Sequence, residues 1–249
     1  MAAASRSPLL ALLLVLAACA PRQGRDSAGG TQVNRSSVRA GDARVLQILT
    51  TGTGTLLVRG EETDSLSVEY VATSPTRAAS YRVPVETIDK PDTLIVTIHA
   101  STVSHIDLHL TMPERMTVGL RDEARDVTFR NVENRVDVHL HPRGSLDFDD
   151  IEGPLQIVDG VGPIRVRDVR GPVVIQDEGG GISVVEVKNS VRIETRRGDV
   201  TLHQVGGDVN VVMGTGDLVV REVGGKLTYR KSGPGQVTIE EVAGAVERL

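Results

Sequence analysis

Three sets of residues could do chemistry. Cysteine occurs once, at Cys19, so no disulfide can form within the chain and its thiol is left for another use, such as carrying a lipid. His105, Asp107 and His109 alternate with Ile106, Leu108 and Leu110, which puts two imidazoles and a carboxylate on one side of a strand. Histidine at that spacing can chelate Zn²⁺, with the carboxylate as a third ligand. Asp137, His139 and His141 repeat the theme. Asp199, Asp208 and Asp217 each follow a glycine, an arrangement that calcium-binding β-rolls also use. The denser Gly-Gly-x-Gly-x-Asp pattern of such rolls is missing, and capping of its own turn is the role expected of each Asp. The acidic pairs Asp149-Asp150 and Glu240-Glu241 invite an acid/base reading. A glycosidase, however, needs two carboxylates that converge across a cleft, and neighbours in a strand diverge.

The elements that position these residues follow a strict repeat. One half-unit begins at Val127, Leu146, Ile164, Ile182, Val200, Leu218 and Val237, and a second at Val136, Leu155, Val173, Val191, Val209, Leu227 and Val246. The spacing is 18 residues, stretched to 19 at the first and last steps. Within each half-unit apolar residues alternate, as in Val200 and Leu202 or Val209 and Val211. Two short strands per turn, stacked turn on turn, predict an all-β protein, a parallel β-solenoid of about 18 residues per turn. The two corners differ. The one after the first strand carries Val132, Ile151, Val169, Val187, Val205, Val223 or Val242 and is expected to be packed. The equivalent position after the second strand is His141, Gly160, Glu178, Arg196, Gly214 or Ser232 and is expected to face solvent. Both one-residue insertions fall in that polar corner, which a solvated loop accommodates more readily than a packed one. By this period His109 belongs to the stack of Val127 and His139 to the opposite sheet, so the two histidine sets should not converge.

The first residues are read apart from the fold. Residues 1–18 form a signal peptide, with Arg6 before an apolar run from Leu9 to Leu16 that is too short to span a bilayer. Leu16-Ala17-Ala18-Cys19 resembles the bacterial lipobox, which predicts cleavage after Ala18 and lipidation of Cys19. Several acyl chains on one cysteine anchor stably where one does not. Residues 19–42 are a polar tether with a reach of roughly 25 Å. Ala20 following the cysteine leans toward the outer membrane of the cell envelope. Residues 43–115 hold candidate strands at Val45–Leu49, Thr55–Arg59, Ser65–Val71, Tyr81–Thr87, Thr93–His99 and His105–Thr111 without the 18-residue period. They are expected to form an irregular, partly antiparallel β cap, with Pro84 marking an edge. Residues 116–249 are the regular repeats, and 43–249 is one continuous domain. Net charge is −5 with no basic block, which argues against nucleic acid. Trp is absent and aromatics are 2%, which removes the usual stacking platforms for bases and sugars.

Gly198-Asp199-Val200-Thr201-Leu202, Gly207-Asp208-Val209-Asn210-Val211 and Gly216-Asp217-Leu218-Val219-Val220 give the chain a family likeness, as does the alternating lead-in from His105 to Pro113. Over residues 50–249 it resembles the bacterial "putative adhesin" family of β-strand-repeat envelope lipoproteins, a domain family of unknown function. The resemblance implies a lipid-anchored, non-enzymatic β-solenoid used for binding or scaffolding, and no cofactor. It carries no catalytic residues across. Gly153-Pro154, Gly162-Pro163 and Gly171-Pro172 depart from its Gly-Asp pattern. A carbohydrate-active β-helix enzyme and a metal- or calcium-binding β-roll stand as alternatives. The expected partners are the membrane, and an envelope protein or a second copy at the C-terminal edge of the solenoid, where Val246 and Leu249 lie at the tip.

Overall fold

The computed structural model describes residues 31–51, 54–73, 85–90, 92–99, 105–122, 125–140 and 144–249. The signal peptide, Cys19, the first part of the tether, residues 81–84 of one candidate strand with Pro84, and His141 lie outside them. The described residues hold strands and no helix. Two eleven-stranded sheets face one another. At about 4.8 Å per strand, the stack is about 48 Å long.

The regular part keeps the spacing read from the sequence. In the first sheet β9 (Arg125–Val132), β11 (Leu146–Ile151), β13 (Ile164–Val169), β15 (Ile182–Val187), β17 (Val200–Val205), β19 (Leu218–Val223) and β21 (Val237–Val242) are parallel. Val127, Leu146, Ile164, Ile182, Val200, Leu218 and Val237 are partners along one ladder. In the second sheet β8 (Thr117–Asp122), β10 (Val136–Leu140), β12 (Leu155–Val161), β14 (Val173–Gly179), β16 (Val191–Arg197), β18 (Val209–Thr215), β20 (Leu227–Lys231) and β22 (Val246–Arg248) do the same. Val118 is the register partner of Val136, so the regular stack starts at β8. Inward residues such as Phe129, Val138, Phe148, Ile157, Val184 and Leu202 are fully buried. Phe129 and Phe148 stack on successive rungs with centroids 5.4 Å apart. Full burial of such side chains stabilises by about 1.5–3 kcal/mol each, and this continuous core offsets the lack of a disulfide.

The N-terminal part is more ordered than the sequence suggests. β2 (Val45–Thr51) and β6 (Thr93–His99) are parallel members of the second sheet, and β3 (Gly54–Glu61) and β7 (His105–Pro113) of the first. Their order is not the chain order. The β2/β3 rung is threaded between the β6/β7 rung and the β8/β9 rung. Antiparallel pairing is confined to the far end, where β1 (Thr31–Arg39), β4 (Ser65–Thr73) and β7 pair in one sheet and β5 (Val85–Lys90) pairs β6 in the other.

The corner after the first strand is packed, as expected: Val132, Ile151, Val169, Val187, Val205 and Val223 are buried, and only Val242 in the last rung is partly exposed. The residue before each is in the left-handed region. Asn131, Asp150, Asp168, Glu186, Gln204, Glu222 and Glu241 have φ from 49° to 59°. Every turn therefore reverses on a non-glycine αL residue, and the apolar residue after it plugs the core. The polar corner uses glycine instead. Gly198 and Gly216 have φ of 113° and 121°, and a Cβ on Gly216 would lie 2.2 Å from the Gly198 carbonyl oxygen. Nor is this corner open at Gly214. A Cβ there would lie 2.2 Å from the Arg196 carbonyl oxygen.

Candidate functional site

The corner Asp residues do not cap their own turns. The Asp217 amide donates to Asp199 Oδ1 at 2.8 Å, and the Gln236 amide donates to Asp217 Oδ1 at 2.7 Å. On the other edge the Lys226 amide donates to Asp208 Oδ1 at 2.8 Å. Asp126 receives both the amide and the hydroxyl of Ser145, at 2.8 and 2.7 Å. Each carboxylate thus reaches to the next rung and satisfies an amide that the ladder leaves over. Ser145's bonds hold the Asp126 carboxyl below its ordinary value. Two of the departures from Gly-Asp fit this pattern. Pro163 follows the Ser145 rung and Pro172 the Pro154 rung, and proline has no amide to be capped. Asp199, Asp208 and Asp217 each spend one carboxylate oxygen on a backbone amide.

The first histidine set lies on β7. Its Asp107 Oδ1 accepts from the Thr55 hydroxyl at 2.7 Å and the Thr55 amide at 3.2 Å, and lies 3.0 Å from His105 Nε2. Partial burial pushes this carboxyl up, but the Thr55 bonds and His105 together hold it below its ordinary value. His109 is exposed, opposite Glu69 and Leu57 in register. The second set belongs to the other sheet: Asp137 is paired with Arg135 at 2.9 Å and His139 is exposed. Among the described residues no group of three or more His, Cys, Asp or Glu could hold a metal ion. The acidic pairs diverge. Asp149 lies in the outward column and receives Arg167 at 2.8 and 2.9 Å, while Asp150 is the αL corner residue. Glu240 and Glu241 repeat this, with Glu240 3.1 Å from Arg221. Arg167 holds the Asp149 carboxyl below its usual range.

Sequence reasoning missed a third constellation. Along β12 the buried parity continues past Leu155 and Ile157 to Asp159, and along β14 past Val173 and Ile175 to Asp177. Asp159 and Asp177 are register partners, and Thr195 follows on β16. All three are 6% exposed. Thr195 Oγ1 lies 3.0 Å from Asp177 Oδ2 and 3.1 Å from the Arg197 carbonyl oxygen, while Asp177 Oδ1 has no hydrogen-bond partner. Burial pushes the Asp177 carboxyl up to about 6, against the opposing bond from Thr195, and the Asp159 charge adds to the rise. One hydroxyl proton cannot serve two acceptors. When Asp177 is ionised, Thr195 donates to it. When Asp177 is protonated, its own O–H can donate to Thr195 Oγ1, which frees the threonine proton for the Arg197 carbonyl. The signal available in the sequence was the parity itself, carried two residues beyond the last apolar one.

Above this column, on the outer face of the second sheet, runs a trough of about 850 Å³. Its wall is one outward column, Arg121, His139, Val158, Gln176, Glu194 and Val212, one residue per rung from β8 to β18. Gly160, Glu178 and Arg196 of the polar corner close the other side. Glu194 is paired with Arg192 at 2.5 Å and Glu178 lies 4.0 Å from Arg196. Arg121 and His139, adjacent in register and both exposed, have no carboxylate partner among the described residues. The outward apolar residues Val158, Val174 and Val212 are half-buried and do not form one patch. Val158 and Val212 share the trough column and Val174 lies in the next.

No protein-family model and no curated protein matches the sequence. Among solved structures, one superposes well enough to share the fold. A "putative adhesin" from Bacteroides fragilis is 14% identical and superposes with a TM-score of 0.52 over 88% of this chain and 97% of that chain. A "putative cell adhesion protein" from Clostridium sporogenes is 11% identical over 88% and 99%, with a TM-score of 0.35. A "putative lipid binding protein" from Parabacteroides distasonis is 10% identical over 89% and 98%, with a TM-score of 0.34. The first establishes a common solenoid fold; the other two superpose too loosely to support an inference.

Proposed function

We propose that the protein is a non-enzymatic, lipid-anchored protein of the bacterial cell envelope that displays a rigid β-solenoid for adhesin-like binding. The observation that carries this reading is the build of the rod. Its backbone groups are consumed in ladders and its corners are tight. Among the described residues its chemistry is therefore spread over flat faces, shallow corner concavities and an open trough, which suits binding to an extended surface or chain. The paired carboxylates that catalysis would need are divergent at Asp149-Asp150 and buried at Asp159 and Asp177. The anchor is Cys19, freed by cleavage after Ala18, with the outer membrane favoured by Ala20. Cys19→Ser should abolish incorporation of labelled palmitate and release the protein from the membrane fraction. Unchanged membrane retention and unchanged mass would overturn the anchor.

A second reading concerns the rung of β21 and β22. It carries Val237, Val246 and Leu249, three of the five exposed large hydrophobics among the described residues. The equivalent residues one rung earlier, Leu218 and Leu227, are fully buried. We propose that this rung pairs with a second copy or with an envelope protein, which would cover the same apolar positions. Sedimentation should show dimers that an added charge at Val246 (Val246→Lys) dissociates; a monomer at high concentration would overturn self-pairing.

A further inference from the structure

We propose that the trough on the second sheet binds a saccharide chain bearing a carboxylate, laid along the rod with its acidic group on Arg121 and His139. This deepens the binding reading above and rests on it. The trough spans six rungs, about 24 Å, and is open along its length. Its floor offers no main-chain groups, because β10, β12, β14, β16 and β18 pair with neighbours on both sides. An extended peptide is recognised chiefly through such groups, so it gains little here. Val158 and Val212 are too few and too far apart to hold an acyl chain. The carboxylates of Glu178 and Glu194 repel a polyphosphate backbone. A polyhydroxylated chain fits what remains. Glu178, Glu194 and Gln176 are acceptors for hydroxyl protons, and Arg196 and the Gln176 amide are donors to hydroxyl oxygens. Val158 and Val212 offer aliphatic contact for the C–H faces of sugar rings.

The charge distribution fixes which saccharide and which way round. Glu178 and Glu194 already have guanidinium partners, whereas Arg121 and His139 sit together at the β8 end with none among the described residues. Guanidinium binds a carboxylate through two parallel hydrogen bonds, so Arg121 is the natural seat for a uronate. A chain with an acid on every unit would meet Glu194 and the buried Asp159 further along. The best occupant is therefore mostly neutral, with its acidic residue at one end.

The test uses the full chain in detergent micelles and calorimetric titration with three probes of similar length. These are a neutral cello-oligosaccharide carrying one terminal glucuronate, the same oligosaccharide without the acid, and an oligoglutamate peptide. The terminally acidic oligosaccharide should bind with a Kd of about 10 μM to 1 mM, and the neutral one at least about tenfold more weakly. Arg121→Ala should erase that difference. Val212→Glu should weaken both saccharides, and Thr201→Glu on the opposite sheet should weaken neither. Circular dichroism of each variant confirms that the rod is intact. No binding of either saccharide by the folded wild type overturns the proposal. Equal binding of the neutral chain, or retention of the preference by Arg121→Ala, overturns the seat of the acid. Tighter binding of oligoglutamate would assign the trough to an acidic peptide instead. None of these outcomes touches membrane retention, so a failed ligand and a failed anchor are separately visible.

Discussion

The two edges of the solenoid reverse the chain by different physical means. After each first-sheet strand, an acidic or amide residue takes the αL conformation and a valine or isoleucine behind it fills the core. After most second-sheet strands a glycine of positive φ turns the chain (Gly144, Gly180, Gly198, Gly216 and Gly235), Asp126, Asp199 and Asp217 cap amides of the next rung, and on three rungs Asp159, Asp177 and Thr195 are drawn into the interior. One edge is held by burial. The other lacks that apolar plug and relies on the hydrogen bonds and close backbone approach that both edges share. The lesson is that a polar corner need not be a loose one.

The sharpest way to break this contrast is at the buried edge. Val205→Asp places an unpaired charge in the core and should cost more than about 4 kcal/mol, read as loss of the cooperative melt. Arg196→Ala, at the same step of the other edge, should change stability by less than about 0.5 kcal/mol. Equal losses would mean that the two edges are not distinct.

The next effect is specific to the glycine edge and to pH. Asp177 has a folded-state value near 6, above its unfolded value. Its contribution is thus fully present below the unfolded value of about 4 and is lost as pH rises through about 6. The wild type should lose on the order of 2–3 kcal/mol from this group between about pH 4 and pH 8. Asp177→Asn keeps an acceptor for Thr195 and should flatten that slope. Melts of both proteins at the two pH values decide it; parallel slopes would show that Asp177 does not titrate in this window.

A reciprocal pair of glycine exchanges sharpens the comparison further. Gly216→Ala should destabilise by roughly 1–3 kcal/mol, from strain and from collision with the Gly198 carbonyl. Glu186→Gly, at φ 58°, should be neutral or stabilising by up to about 1 kcal/mol, because αL costs glycine nothing. Among the losses, the cap is the smallest that should be measurable: Asp199→Ala leaves the Asp217 amide without its acceptor and should cost about 1 kcal/mol in chemical denaturation. No loss would show that solvent replaces the carboxylate.

The sequence made the register plain, because an apolar residue at 18-residue spacing can only mean successive rungs of one core. It also told the two corners apart, since Val205 and Arg196 differ in kind at the same step. It hid the αL positions. Asn131, Asp150, Glu186 and Gln204 share a backbone conformation but look like ordinary surface residues. It hid Asp159 and Asp177, because inward parity is inferred from apolar residues and these are charged. It also hid the order of the first rungs. Spacing reports that strands repeat but not that β2 and β3 sit inside rungs made later in the chain. Among the candidate sites, the histidines were legible as types at a spacing. The trough was not, since its wall is assembled from one residue on each of six strands.

That threading has a mechanical meaning. With the N-terminal anchor proposed above, a pull would load β1 first and then β2 and β3. Among the described residues the outermost strand, β1, is bound along one edge only and can be peeled bond by bond. The β2/β3 rung is gripped on both sides, by β6 and β8 in one sheet and by β7 and β9 in the other. Tension arriving there must shear parallel ladders on both flanks together. The fold therefore places a rung gripped on both flanks between a strand that can yield and the regular stack, so under the proposed anchor a pull would be resisted at β2/β3, next to the β8 end of the trough.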